Sequence, residues 1–269
     1  MKTIMVHIDA DDGLEARLQA AFDLARAFGG HLACVQVTPY AAYALGEPGM
    51  GAFPITALMQ SIEKQRKDER EAVEARLRHE GVNWTWINRD GDTVDRIAEA
   101  ARLADVVVMS SGPFASNQGA RVGMTGDVAI HAPTPVVAVP VDSRGIAVTG
   151  AALIAWDGSQ EAAVAMRSAL PMLRLAESVD ILTVEEKPTD FRARDAAAYL
   201  SRHGITAEVI ERASGDDSIE QVIRQVLIER RSAWLVQGAY GHSRLRETLF
   251  GGVTRGLLAD APVPLLLAH

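Results

Sequence analysis

The sequence predicts an α/β fold: two tandem doubly wound five-stranded parallel sheets. Two observations carry this reading. Short apolar runs alternate with longer segments whose apolar residues fall at helical spacing, and the whole pattern occurs twice. The runs are near-continuous rather than alternating, which suits parallel strands covered on both faces. Strands alternating with helices imply right-handed crossovers and a doubly wound sheet.

Matched landmarks define the repeat. The first half ends HAPTPVVAVP (131–140) and the second DAPVPLLLAH (260–269). IMVHID (4–9) opens one half and ALIAWD (152–157) the other. DVVVMS (105–110) and AWLVQG (233–238) are the strands that precede a loop in each. The boundary falls in DSRGIAVTG (142–150), which has loop composition. The expected units are therefore residues 1–142 and 150–269.

The elements follow in order. In the first half, strand 4–8 leads to a helix over 14–28, with Leu14, Leu18, Ala21, Phe22 and Ala25 on its apolar stripe. Strand 32–37 precedes a Gly-, Ala- and Pro-rich insertion (39–54) that reads as a surface loop, a lid or a partner contact. The charge-rich segment 55–79 reads as a helix with one solvated face. Strand 84–88, a helix over 93–103, strand 105–110, a helix near 119–131 and strand 136–139 complete the unit. The second half repeats the scheme with strands 153–156, 179–184, 206–210, 234–238 and 263–268. Its helices run from Gln160, near 191–203, near 218–230 and near 247–259.

Composition excludes several classes. The chain has 269 residues, 48% hydrophobic and 23% charged, as expected of a soluble globular protein with material for two cores. The net charge of −8 argues against non-specific nucleic-acid binding, which needs a basic patch. The N-terminus turns acidic too soon for a signal peptide, and no apolar run is long enough to span a membrane. A cytoplasmic location is expected. The single cysteine, Cys34, reads as a small buried residue in a strand.

Open α/β sheets bind ligands beyond the carboxyl ends of their strands. There the second half carries GAYGHSRLRETLFGGVT (238–254): G-x2-G-x9-G, then Gly-Val-Thr, opening a helix. Glycine permits positive φ and lets backbone N–H groups approach a phosphate, and a helix start adds donors and dipole. Thr254 offers a hydroxyl, and His242 and Arg244 are candidates for charge. Glycine spacing alone is equally compatible with a ligand-free turn.

The G-x2-G-x9-G loop with its Val-Thr, placed after a strand, resembles the nucleotide-binding loop of the universal stress protein family. Asp157 in WDGS, Val184 ending the second strand and the closing A-P-V-P-L-L-L match as well, and both halves share the likeness. The resemblance implies an adenine nucleotide alpha hydrolase-like fold and a cytosolic stress-response protein that binds ATP, ADP or AMP in its C-terminal half, with or without Mg. It implies that Asp157 holds the nucleoside and Val184 the adenine face. Gly238, Gly241, Gly251, Gly252, Val253 and Thr254 would then hold ribose and phosphates. Family members that bind ATP usually have Ser or Thr directly after the third glycine; here Gly252 removes that hydroxyl. The first half departs further: Ser110 stands in place of Gly238, Pro113 removes an N–H donor, and Val122 replaces Gly251. The first-half loop is also one residue shorter. Asp9, Val37, Gly123 and Thr125 persist. A filled or altered first site is expected. The resemblance also implies that the halves pair as a pseudo-dimer through 136–139 and 263–267, covering an otherwise bare sheet edge. A further homodimer and an unidentified protein partner are compatible with it.

Other candidates read structurally. His7 lies in a strand and Trp84 and Trp86 share one strand face. The trio Asp9, Asp11 and Asp12 looks like a metal cluster, but Asp12 is placed to cap a helix. No zinc, Walker or nucleophile-elbow motif occurs. With no general base or activated nucleophile, binding is expected over fast catalysis. A scaffold without nucleotide and a slow ATPase or adenylyl-transfer enzyme are the alternatives.

Overall fold

The computed structural model describes residues 1–40, 55–112, 121–184, 191–239 and 252–269. The first half contributes β1 (Thr3–Ile8), β2 (His31–Thr38), β3 (Asn83–Asp90), β4 (Val106–Ser111) and β5 (Val136–Pro140). Its helices are α1 (Leu14–Phe28), α2 (Ile55–Arg78), α3 (Thr93–Ala100), which runs into a 3₁₀ turn at Ala101–Leu103, and α4 (Arg121–His131). The second half contributes β6 (Ala152–Ala155), β7 (Val179–Val184), β8 (Glu208–Arg212), β9 (Trp234–Gly238) and β10 (Leu265–Ala268). Helices α5 (Gln160–Leu173), α6 (Ala193–Arg202), α7 (Ile219–Glu229) and α8 (Gly252–Ala259) complete it. The expected element series is present, most ends shifted by a residue or two; the expected starts of the helices near 119 and 247 lie outside the described residues.

The two expected five-stranded sheets join into one of ten strands, in the order β3-β2-β1-β4-β5-β10-β9-β6-β7-β8. Every pairing within a half is parallel. The halves meet through β5 and β10, which run antiparallel with Leu265 opposite Ala138 and Leu267 opposite Val136. The two last strands thus cover each other's edges. The outer strands β3 and β8 are largely exposed and carry Asn88, Arg89, Asp90, Glu208, Glu211 and Arg212, charge that discourages further edge pairing.

Alternation sorts each strand between two cores. One face packs Ile4, Val6 and Ile8, with Ile154, Trp156 and Val236, against α1, α2, α5 and α6. The other packs Met5, Val107 and Met109, with Leu153, Leu182 and Leu235, against α3, α4, α7 and α8. Both cores run through both halves. The segment between the halves is docked: Ile146 and Val148 are buried, and the Ile146 amide donates to Asp23 on α1 at 3.0 Å. Gly145 has φ of +113°, and a Cβ there would meet the Asp23 carboxylate at 2.2 Å.

Local signals explain the helix ends. Gly29 terminates α1 in the left-handed conformation. Asp92, Ser159 and Ser218 cap α3, α5 and α7 with their side chains. Asp12 does not cap α1 as expected. Gly13 is the N-cap, and Asp11 instead accepts the Gly13 amide at 2.9 Å. Asp11 lies one residue closer to the strand end, where Arg17 draws it inward.

Cys34 is fully buried; desolvation, aided by the charge of Glu74, pushes its thiol pKa up to about 12, so it is a core group. His7 is buried as well. Trp84 and Trp86 pack half-buried against the core, with the Arg70 guanidinium 5.3 Å from the Trp86 ring.

Candidate functional site

In the order 3-2-1-4-5 the chain reverses direction across the sheet between the first and fourth strands, and ligands of such sheets sit at the carboxyl end of that gap. In the second half the gap lies between β6 and β9. Asp157 follows β6 by two residues, Val184 ends β7 and Gly238 ends β9. The registers Ala155 with Leu182 and Ile154 with Val236 bring these three to one edge of adjacent parallel strands. Alternation places Asp157 on the face of Leu153 and Ala155, and Val184 packs against that same core. The N-terminus of α8 opens at Gly252, with Val253 half-buried and Thr254 buried beneath it. Gly241 and Gly251, with His242 and Arg244, lie outside the described residues, as do Pro113 and most of the 39–54 insertion.

Register also fixes which residues correspond between halves. Ile4 opposes Val106 as Ala152 opposes Trp234, so Ser110 corresponds to Gly238 and Met109 to Gln237. The same count pairs Asp9 with Asp157, Val37 with Val184 and Gly13 with Glu161.

The corresponding aspartates have different surroundings. Asp9 is ion-paired with Arg66 of α2 at 3.1 Å, and Arg66 also meets Glu69 at 3.0 Å. Beside it Arg17, 1% exposed, donates to the carbonyls of His7 (3.1 Å) and Asp9 (2.9 Å), to both Asp11 carboxylate oxygens (2.9 Å each) and to Ser110 Oγ (2.6 Å). Two of the acidic trio, Asp9 and Asp11, thus face arginines, and Asp12 is exposed. Asp157, among the described residues, accepts only the Ser159 amide at 2.9 Å, and the residue corresponding to Arg17 is Ala165. The second half thus leaves its carboxylate available where the first half neutralises it.

The glycine at 238 has a physical reason other than the one expected. Its φ is not positive. A Cβ there would meet the Ala162 amide nitrogen at 2.5 Å and the Glu161 carbonyl carbon at 2.7 Å, because α5 starts against the end of β9. In the first half the arrangement is inverted. Gly13 is the glycine, and a Cβ on it would meet Ser110 Oγ at 2.3 Å. Each crossing has room for one side chain; the first half places it on the strand and the second on the helix. Gly252 differs again: it is exposed, and nothing among the described residues lies within 4 Å of a Cβ added there.

The two conserved-looking threonines are also used differently. Thr125 donates to the Ser110 carbonyl at 2.7 Å. Thr254 accepts from the Gln237 side-chain amide at 2.9 Å. Gln237 was not among the sequence candidates, although the alignment of DVVVMS with AWLVQG sets an amide opposite a methionine.

A tandem open-sheet α/β protein with a switch-point edge in each half is the class these features define. The Universal stress protein family model matches residues 1–140, and the chain belongs to that family. A universal stress protein from Archaeoglobus fulgidus DSM 4304 is similar along nearly the whole chain: 16% identity, 99% of this chain and 95% of that one covered, TM-score 0.78. A functionally unknown protein from Pseudomonas aeruginosa PAO1 is 15% identical, covering 100% of this chain and 92% of its own, with TM-score 0.58. A universal stress protein solved in complex with cAMP is 20% identical over 52% of this chain and 98% of its own, with TM-score 0.33. No curated protein matches. Among the described residues no helix is long and apolar enough to cross a membrane.

Proposed function

We propose that this chain is a cytoplasmic stress-response protein that binds one adenine nucleotide, ATP, ADP or AMP, in its second half and signals that occupancy to a protein partner. The observation that carries the reading is the contrast between Asp157, whose carboxylate accepts only a neighbouring amide among the described residues, and Asp9, which an arginine already neutralises. Asp157 accepts from the nucleoside's hydroxyl or amino donors, and Val184 lies against the base. Gly238, Gly241, Gly251, Gly252, Val253 and Thr254 bring backbone donors and the α8 dipole to the phosphates, with or without Mg. Calorimetric titration with ATP, ADP and AMP tests it. Binding is expected in the wild type and in Asp9→Ala, and should be lost in Asp157→Ala. No heat at millimolar nucleotide, or equal loss in both variants, would overturn the reading.

One observation favours a second reading, a scaffold without nucleotide: packing against α5 alone accounts for Gly238. Mass spectrometry of the native protein separates the two, because a co-purified nucleotide contradicts the scaffold.

A further inference from the structure

Gln237 is an amide in a position that the fold fills elsewhere with an apolar side chain. Its counterpart Met109 is fully buried in the core shared by α3 and α4. Gln237 is itself 6% exposed. Its neighbours on the same strand face, Leu235 and Ala239, belong to that core, so alternation sets Gln237 on the face that also carries Asp157 and Val184. Its nitrogen is fixed by the 2.9 Å bond to Thr254 at the start of α8. Its oxygen, Oε1, is buried with no hydrogen-bond partner among the described residues. A buried carbonyl oxygen without a donor is unfavourable, and a fold that accepts methionine at the matching place has no packing need for it.

We infer that Gln237 Oε1 accepts a hydrogen bond from a ribose hydroxyl of the bound nucleotide, so that the second half selects ribonucleotides over deoxyribonucleotides. This rests on the nucleotide reading above. The position selects the group. Val184, at the base end, is two strands away, Asp157 follows β6, the neighbouring strand, and the α8 N-terminus proposed to face phosphate is reached through Thr254. Between base and phosphate the ligand's only hydrogen-bond donors are its sugar hydroxyls. Phosphate oxygens are acceptors and would repel a carbonyl. With Nε2 bonded to Thr254, Oε1 is the end of the amide left for a ligand, which makes Gln237 a specificity-determining contact. A site built to accept a hydroxyl discriminates well against a ligand that lacks it, because its own polar group is then left unpaired.

The test compares ATP, 2′-deoxy-ATP and 3′-deoxy-ATP on the full chain, with wild type, Gln237→Met and Gln237→Leu. In the wild type at least one deoxy analogue should bind about tenfold more weakly than ATP. In either variant ATP should fall to the level of that analogue, and the preference should vanish. Wild-type affinities for all three ligands within about twofold would overturn the inference while leaving the nucleotide site standing, with water as the partner of Oε1. A variant that keeps the full preference would overturn it too. Failure of the wild type to bind any nucleotide removes the site and this role with it. Because the wild-type comparison decides alone, a variant that does not fold leaves the inference falsifiable.

Discussion

The two halves of this molecule share strand order, register and a switch-point aspartate, yet they treat that aspartate in opposite ways. In the first half Arg66 pairs with Asp9, and the fully buried Arg17 ties the end of β1 to Asp11 and Ser110. In the second half an alanine stands in place of Arg17, and Asp157 keeps its acceptor capacity. One copy of a duplicated unit has spent its ligand-edge polarity on internal ion pairs, while the other has kept it. The single continuous sheet lets the two coexist: the first copy, closed by its own arginines, covers the β10 edge of the second. The coupling extends beyond that edge, for the Gly112 amide at the end of β4 donates to the Leu258 carbonyl of α8 at 2.7 Å.

Substitutions can break this contrast at graded cost. The largest effect is expected from Arg17→Ala, which gives the first half its counterpart's residue. It removes the arginine partner of the nearly buried Asp11 carboxylate and should destabilise the protein by about 3–5 kcal/mol in urea unfolding. A loss below about 1 kcal/mol would mean that the arginine is not structural. Next is the inverted crossing. Gly238→Ser places a side chain against backbone atoms of α5 and should cost about 1–3 kcal/mol. Adding Glu161→Gly removes only the Glu161 Cβ, 2.9 Å from the added Cβ, and leaves the backbone contacts at 2.5 and 2.7 Å, so most of the loss should persist in the same assay. A silent Gly238→Ser would refute the packing account of that glycine.

Smaller still is Gly252→Ser, which restores the hydroxyl expected after the third glycine at a place with open space around it. It should leave the melting temperature undiminished and tighten nucleotide binding by about 1 kcal/mol, roughly fivefold, in calorimetry. The smallest effect concerns a feature of the first half alone. Asp105 accepts the Lys2 and Thr3 amides, which hold its carboxyl below the usual range; in the second half Ala233 stands there. A lowered folded-state pKa means stability that is present above the ordinary aspartate value near pH ~4 and is lost as pH falls through the lowered value. Asp105→Asn should therefore show a flatter decline than wild type in acid denaturation below that pH, and an unchanged acid limb would contradict the assignment.

Much of this was legible in the sequence because period and repeat are properties of the chain. The helix at 14–28, the strand at 179–184 and the strand at 234–238 were read to their ends. Asp157 and Val184 came from the resemblance of WDGS and of the second strand's end to the universal stress protein pattern, and both lie at the carboxyl edge of adjacent strands. The character of the glycines was not: Gly238 looks like a backbone-turn residue until the approach of α5, a contact between residues far apart in sequence, gives the reason. A filled or altered first site was expected from Ser110, Pro113 and Val122, but not the arginines that pair with its carboxylates. Arg17 sits on the same stripe as Leu14, Leu18 and Ala21, a visible oddity in an apolar face, but its partners at Ser110 and the strand carbonyls exist only in three dimensions. Gln237 was hidden likewise, since an amide at a strand end reads as the start of a solvent-exposed loop until its burial is known.

Native mass spectrometry of the full chain titrated with ATP tests the central contrast most directly. One nucleotide per chain is expected, retained in Asp9→Ala and absent in Asp157→Ala. Two nucleotides per chain, or one that survives Asp157→Ala and disappears with Asp9→Ala, would contradict the division of roles between the halves.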